Sequence, residues 1–277
     1  MSHAIVLTPG ERIARVALVI FGGLVALFLV APLLVVLPLS LSDGEFLVYP
    51  IRGWSWRWFE ELVTSEKWVV ALRNTFVIGV ISTAAATCLG TLAAVGLATS
   101  NFTGKRIVTG ILLSPLVVPA VIYAVGLYFY FAPLGLAQTY TGIILAHTAL
   151  GSPFVVVTVG ASLSGFDRNL MRAAASLGAS PLRAFRLVML PLVLPGVVTG
   201  ALFAFAASFD EVITVLFLAS PDQRTVPREM FSGLRESLSP VIASASVVLI
   251  AAAVLLLLTA EWLKSRSAGT TKVVLTH

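Results

Sequence analysis

Two adjacent carboxylates are conspicuous because they lie inside an apolar stretch. Asp210 and Glu211 follow AFAASF and precede VITVLFLA. An ionised carboxylate in the middle of a bilayer costs about 2.5–3.5 kcal/mol on insertion scales, so both side chains should face protein or water. Either they line a translocation pathway that favours a cation, or they pair with an arginine or with backbone donors. We favour the pathway, and each residue needs its own test because neighbours on a helix point about 100° apart.

A charged segment with turn residues lies between two apolar runs, at residues 172–196. Residues 169–177 are rich in helix formers, and Gly178 can adopt the left-handed conformation that ends a helix. Ser180 can then cap a second helix, with Pro181 at its first position, where a missing N–H is not needed. The sequence therefore predicts two short helices separated by a turn.

The second of these helices should run to about Met189, and Pro191 and Pro195 should limit its continuation. Arg183 and Arg186 lie on one face of it. The opposite face is apolar and consists of Leu182, Phe185, Val188 and Met189. Such an amphipathic helix suits a groove in a partner protein. The alternative is a membrane-surface helix that only joins two spans.

The composition is typical of a membrane protein, with 58% hydrophobic and 11% charged residues and a mean hydropathy of +1.00. A hydrocarbon core about 30 Å thick requires about 20 apolar residues per helix. We predict one all-α transmembrane domain over residues 1–277, with six spans and a loop at 164–191 between the fourth and fifth. The predicted spans are 14–41, 71–99, 107–131, 141–163, 192–218 and 240–263.

Small residues and prolines predict how the spans pack. Small residues at four-residue spacing should bury one face of the second span, because they let helix backbones approach closely. They are Ala86, Gly90, Ala94 and Ala98. Prolines should kink the third and fourth spans. They are Pro115 and Pro119 in the third and Pro153 in the fourth.

Basic residues near the span ends predict orientation, since cytoplasmic loops are enriched in them. With the N-terminus inside, eleven of the 18 basic residues are cytoplasmic, so both termini should be cytoplasmic. The eleven are Arg12, Arg15, Lys105, Arg106, Arg168, Arg172, Arg183, Arg186, Lys264, Arg266 and Lys272. The net charge of +5 is explained by the basic residues of the cytoplasmic loops and favours contact with anionic lipid. Without a long basic run or stacking platform, we predict no nucleic-acid partner.

Signatures of catalysis are missing from the sequence. The nearest approach to a phosphate loop is Gly104-Lys105, but Thr99 stands where the first glycine should be and Arg106 follows the lysine. Cys88 is the single cysteine, and the three histidines are scattered. We therefore predict no catalytic residue, no metal site and no cofactor bound by this chain.

The segment around Gly178 resembles the cytoplasmic Glu-Ala-Ala loop of binding-protein-dependent ABC importer permeases. Residues that match the family's spacing are Ala173, Ala174, Gly178, Val188, Leu190 and Pro191. Arg172 replaces the family's acidic residue, which inverts one charge. The resemblance implies a type I ABC importer permease whose loop sits in a cleft of an ATPase subunit. The implied coupling residues are Arg172, Ala173, Ala174, Gly178, Ser180, Leu182, Arg183, Phe185, Arg186, Leu190 and Pro191.

Four further segments narrow the resemblance to the polyamine branch of these permeases. In order they are SPLVVPAVIYAVGLYFYF, HTALGSPFVVVTV, GFDRNLMRAAASLGAS and AFAASFDEVITVLFLA. They look like the second permease of a spermidine and putrescine importer, and the acidic pair at 210 and 211 matches one in that branch. Opines and 4-aminobutyrate are alternative substrates in the same branch.

The resemblance implies a bacterial inner-membrane complex. A second permease, or a second copy of this chain, would complete the path. Two cytoplasmic ATPase subunits would bind ATP and magnesium, and a periplasmic binding protein would deliver the substrate. The remaining alternatives are an ion-coupled secondary transporter, a channel, and a related permease for an anion such as sulfate.

Overall fold

A computed structural model describes residues 9–236 and 239–274, with side chains over 10–235 and 239–259. In this part of the chain the regular elements are helices, apart from an isolated bridge between Ser42 and Trp54. Both chain termini, predicted to be cytoplasmic, lie outside it. The α-helices are α1 (Pro9–Ser40), α2 (Arg57–Thr64), α3 (Glu66–Thr99), α4 (Lys105–Leu113), α5 (Ala120–Phe131), α6 (Tyr140–Ser164), α7 (Asn169–Ser176), α8 (Pro181–Ala184), α9 (Leu190–Phe209), α10 (Ile213–Leu218), α11 (Val226–Glu236) and α12 (Val241–Val274).

Within the described residues, five stretches are long and apolar enough to cross a membrane. They are Gly10–Ser40, Glu66–Thr99, Tyr140–Ser164, Pro181–Phe209 and Val241–Thr259. A sixth crossing results if Lys105–Leu116 and Ala120–Phe131 form one span, although the two parts are bent by 107°. The prolines explain this break, which is larger than the predicted kink. Pro115 lacks the N–H that a continuing helix needs, and Pro119 disfavours helical geometry at the residue before it.

The expectation that Pro191 and Pro195 limit the helix is wrong. A single apolar stretch runs through both prolines, from Pro181 to Phe209. A π-helical turn, Phe185–Met189, precedes Pro191, and its last bond joins the Leu190 N–H to the Phe185 carbonyl. The π-turn shifts the hydrogen-bond pattern just before Pro191. Pro191 therefore lies in the first turn of α9, where its missing N–H and its ring are tolerated.

The chain divides into two compact units, of which the first comprises residues 1–62 and 238–248. Within this unit, side chains donate hydrogen bonds to backbone carbonyls of α1 and of the loop that follows it. Trp58 Nε1 donates to the Ser42 carbonyl at 2.8 Å, and the Tyr49 hydroxyl donates to the Val35 carbonyl at 2.9 Å. The Ser244 hydroxyl, near the start of α12, donates to the Ser40 carbonyl at 3.1 Å.

The second unit comprises residues 63–237 and 249–277, and α3, α6 and α9 form its centre. One buried cluster joins these three helices and consists of Ala86, Ala94, Val155, Val159, Leu163, Met189, Val193 and Ala204. Ala86, Gly90 and Ala94 are buried, and Ala98 packs against the cluster. The predicted packing face of the second span is therefore confirmed.

Loop 164–191 lies at one end of α6, and the 219–236 segment follows α10. In the 219–236 segment, buried Glu229 makes ion pairs with Lys67 Nζ at 2.8 Å and Arg224 Nη1 at 3.1 Å. Burial and the nearby Arg224 lower the pKa of Arg228, while Glu229 acts in the opposite direction. Glu229 thus forms one ion pair within the segment, with Arg224, and one with Lys67 of α3.

Candidate functional site

Loop 164–191 turns at Gly178, as predicted. Gly178 has a φ of +82°, in the left-handed region. Its N–H donates to the Ala175 carbonyl at 2.9 Å, and the next N–H, of Ala179, donates to the Ala174 carbonyl at 3.0 Å. These paired bonds satisfy carbonyls that the end of α7 would leave free. The turn is therefore held by backbone hydrogen bonds within the loop.

The helix after the turn begins as predicted but faces a different way. The Ser180 side chain accepts from the Arg183 N–H at 3.4 Å, and Pro181 occupies the first position. Met189 is only 4% exposed and belongs to the buried cluster of α3, α6 and α9, against which Phe185 also packs. The interpretation of the apolar face as a single docking surface is wrong, because half of it is used by the chain's own core.

The exposed surface of loop 164–191 combines predicted coupling residues with two leucines that were not predicted. Leu177, at 89% exposure, protrudes next to Gly178, and Leu182 and Leu187 are also exposed. Arg172, Ala173, Arg183, Arg186 and Pro191 are exposed, whereas Ala174 and Leu190 are partly buried. Sequence reasoning missed Leu177 and Leu187. The position of Leu177 could have been noticed in the sequence, because it is an apolar residue directly before the glycine that ends a short helix.

The acidic pair lies in a break between two helices. The sequence placed Asp210 and Glu211 inside a span from 192 to 218, but α9 ends at Phe209 and α10 begins at Ile213. Glu211 Oε1 accepts from the Thr214 N–H at 2.7 Å, so this side chain caps α10. Asp210 is exposed. Glu211 thus pairs with a backbone donor, which was the alternative interpretation, whereas Asp210 is open to the surroundings.

A buried polar chain precedes the break. His147 Nδ1 lies 2.7 Å from Ser208 Oγ, which lies 3.1 Å from Ser82 Oγ. All three side chains are buried, and His147 Nε2 has no hydrogen-bond partner in the described part of the chain. The bonds join α6, α9 and α3, which supports a structural role for His147. In the described residues, no three His, Cys, Asp or Glu side chains form a candidate metal site.

Comparisons with known proteins agree with these features. The family described as binding-protein-dependent transport system inner membrane component matches residues 86–268. The spermidine/putrescine transport system permease protein PotC of Haemophilus influenzae is 32% identical over 191 residues, which cover 69% of this chain and 74% of that protein. The putrescine transport system permease protein PotI of Escherichia coli (strain K12) is 33% identical over 222 residues, covering 78% and 79%.

The fold also matches a solved transporter. A chain of a bacterial ABC transporter involved in the import of the acidic polysaccharide alginate has a TM-score of 0.73 to this chain, at 16% identity. The match covers 92% of this chain and 98% of the other, and at this identity it shows the fold alone. The all-α membrane fold and the resemblance to importer permeases are thereby confirmed. This chain belongs to the family of binding-protein-dependent transport system inner membrane components.

Proposed function

We propose that the chain pairs with a second permease and that its loop 164–191 docks on one of two cytoplasmic ATPase subunits. The observation that carries this proposal is the exposed tip around Leu177, which is held by the turn at Gly178. Exposed Arg172, Arg183 and Arg186 surround the tip with positive charge. A cleft that receives it would need an apolar floor for Leu177 and carboxylate or carbonyl acceptors for the arginines.

The same loop can pass a movement of the ATPase into the membrane. Phe185 and Met189 anchor the loop on the buried cluster of α3, α6 and α9, so displacement of the tip displaces these helices. ATP and magnesium would be bound by the partner subunits, because this chain lacks a phosphate loop of its own. With six spans, docking on a cytoplasmic ATPase would put loop 164–191 and both termini in the cytoplasm.

The substrate that we propose is a small organic cation of the polyamine type. The relatives PotC and PotI are named for spermidine and putrescine. Asp210 supplies an exposed carboxylate directly after the end of α9, in the break between α9 and α10. A carboxylate at such a position favours a cation and opposes an anion. Opines and 4-aminobutyrate, which carry both charges, are the competing substrates.

Purification of the chain from native membranes in mild detergent tests the assembly. Mass spectrometry should recover an ATPase and a second permease, together with a binding protein whose ligand identifies the substrate. A chain that is reproducibly recovered alone, even after cross-linking, and that sustains uptake without ATP would contradict the proposal and indicate a self-sufficient transporter or channel.

Neutralising the two acids separately tests the pathway. Asp210→Asn should raise the KM for spermidine uptake by roughly tenfold, as expected when a charged contact is lost. Glu211→Gln should have a smaller effect, because the amide oxygen can still accept from the Thr214 N–H. The measurement is uptake of labelled spermidine by vesicles that contain the whole complex.

Glu61→Gln is the matched control, because it removes one exposed carboxylate from α2. Its KM should equal that of the wild type. An unchanged KM in Asp210→Asn would remove Asp210 from the pathway, and 4-aminobutyrate outcompeting spermidine in the wild type would contradict the polyamine assignment.

A further inference from the structure

One end of α3 is bound to loop 164–191 by a side chain. Arg168, directly before α7, donates from Nη2 to the carbonyl of Ala98. Ala98 lies in the last turn of α3, where carbonyls have no intrahelical partner and where the helix dipole favours a cation. The bond is therefore charge-assisted and joins residues 70 positions apart in sequence.

The other end of α3 is bound to the 219–236 segment. Asn74, only 3% exposed, donates from Nδ2 to the carbonyls of Asp222 at 2.9 Å and Arg224 at 3.0 Å. Carbonyl oxygens can only accept, so the amide nitrogen must face them. On the other side of the amide, the Tyr140 hydroxyl donates to Asn74 Oδ1 at 3.0 Å. Both donor positions of the asparagine amide are thus used to hold the backbone of one segment.

The next residue of α3 adds a second link at the same end. The Thr75 hydroxyl donates to the Ala71 carbonyl at 2.8 Å and accepts from the Val226 N–H at 2.9 Å. Val226 is the first residue of α11, whose N–H has no partner within that helix. The start of α11 is therefore fixed to α3 by a hydroxyl that is itself oriented by the helix backbone.

The helix between the two ends is suited to transmit displacement. From Asn74 to Ala98 it rises about 36 Å, at about 1.5 Å per residue. It contains no proline, and its buried face packs against α6 and α9. Neither loop 164–191 nor the 219–236 segment is adjacent to α3 in sequence. Besides packing, α3 is linked to these segments by Arg168 at one end and, near the other end, by Asn74, Thr75 and the ion pair between Lys67 and Glu229.

We propose that α3 links loop 164–191 to the 219–236 segment and that Arg168 and Asn74 are the positioning residues of this link. The inference rests on the proposed function, in which loop 164–191 meets an ATPase. Because the 219–236 segment contacts the opposite end of α3, it then lies on the other side of the membrane, where a periplasmic binding protein would dock. Coupling between two sites is reciprocal. Docking of the binding protein near the 219–236 segment therefore strengthens ATP binding through α3, which raises hydrolysis when ATP is below saturation, and ATP binding strengthens that docking by the same route.

A double-mutant cycle on the whole complex in lipid nanodiscs tests the link. The measured quantity is the ATPase rate, at ATP below saturation, with the co-purified binding protein divided by the basal rate. Arg168→Ala and Asn74→Leu should each lower this ratio by about tenfold. The double variant should lower it no further than the more damaging single change, because the two contacts act in series. Arg168→Lys, which keeps a cationic donor, should recover most of the stimulation.

Arg106→Ala is the control, since it removes an exposed arginine from α4 and should leave the ratio unchanged. If Asn74→Leu impairs assembly, the isosteric Thr75→Val tests the same end of α3 through the Val226 N–H. Unchanged stimulation in the single variants, or effects that multiply in the double variant, would overturn the link. A wild-type complex without any stimulation would instead overturn the proposed function, and the inference with it.

Discussion

Replacing Gly178 with tryptophan should suppress ATP-driven uptake while the chain still inserts into the membrane. At a φ of +82°, a residue with a side chain is strained by about 1–2 kcal/mol. A Cβ at this position meets no atom of the described residues within 4 Å, apart from its chain neighbours, so the indole would extend into open space beside exposed Leu177 and enlarge the tip. We expect uptake to fall by about a hundredfold, since the ATPase cleft must accept this surface.

Gly178→Asn separates the effect of backbone strain from the effect of side-chain bulk at the tip. Asparagine tolerates the left-handed conformation and is small, so this variant should keep most of the uptake. Labelled substrate uptake by vesicles should be measured beside the amount of chain in the membrane and the amount of ATPase that co-purifies with it. Wild-type uptake in Gly178→Trp would show that this tip is not the docking surface.

The second large effect is expected from Gly200→Ala, which should destabilise the packing of α9 on α6. A Cβ on Gly200 would lie 2.8 Å from Val155 Cα, an atom of the α6 backbone, and would also collide with the Thr158 hydroxyl. A backbone atom cannot move aside as a flexible side chain does, so the helices must separate. Overpacking of this kind typically costs about 1–3 kcal/mol.

Gly160→Ala is the matched control for this prediction. Gly160 is also a helical glycine, in α6, but a Cβ there meets no atom of the described residues outside its own helix backbone within 4 Å. Because alanine is the better helix former, this variant should be as stable as the wild type or more stable by about 0.5–1 kcal/mol. Thermal unfolding in detergent, followed by the fraction that remains monodisperse, measures both variants. Equal midpoints for the two would contradict the packing of α6 against α9.

Residues within one or two turns of each other decided the features that the sequence predicted well. The helix end at Gly178 depends on a glycine conformation and on carbonyls three and four residues earlier. The cap at Ser180 depends on the N–H three residues later. The packed face of α3 follows from small residues at four-residue spacing. Such signals are local, so they can be read without knowing the neighbouring helices.

Contacts between residues far apart in the sequence decided the features that were not predicted correctly. Pro191 continues a helix because a π-turn precedes it, and Phe185 and Met189 face inward because α3 and α6 offer an apolar surface there. The sequence placed Asp210 in a span but could not show that the helix breaks beside it.

The sequence by itself determined an all-α chain of apolar helices with a basic, turn-containing loop, because hydropathy, periodicity and cap residues act over short distances. Only the tertiary structure decided which side chains of that loop stay exposed. It also decided that Ser208 meets His147 and that Arg168 and Asn74 hold the two ends of α3. These hydrogen bonds join residues 61 or more positions apart in the sequence, and no local pattern specifies which helices become neighbours.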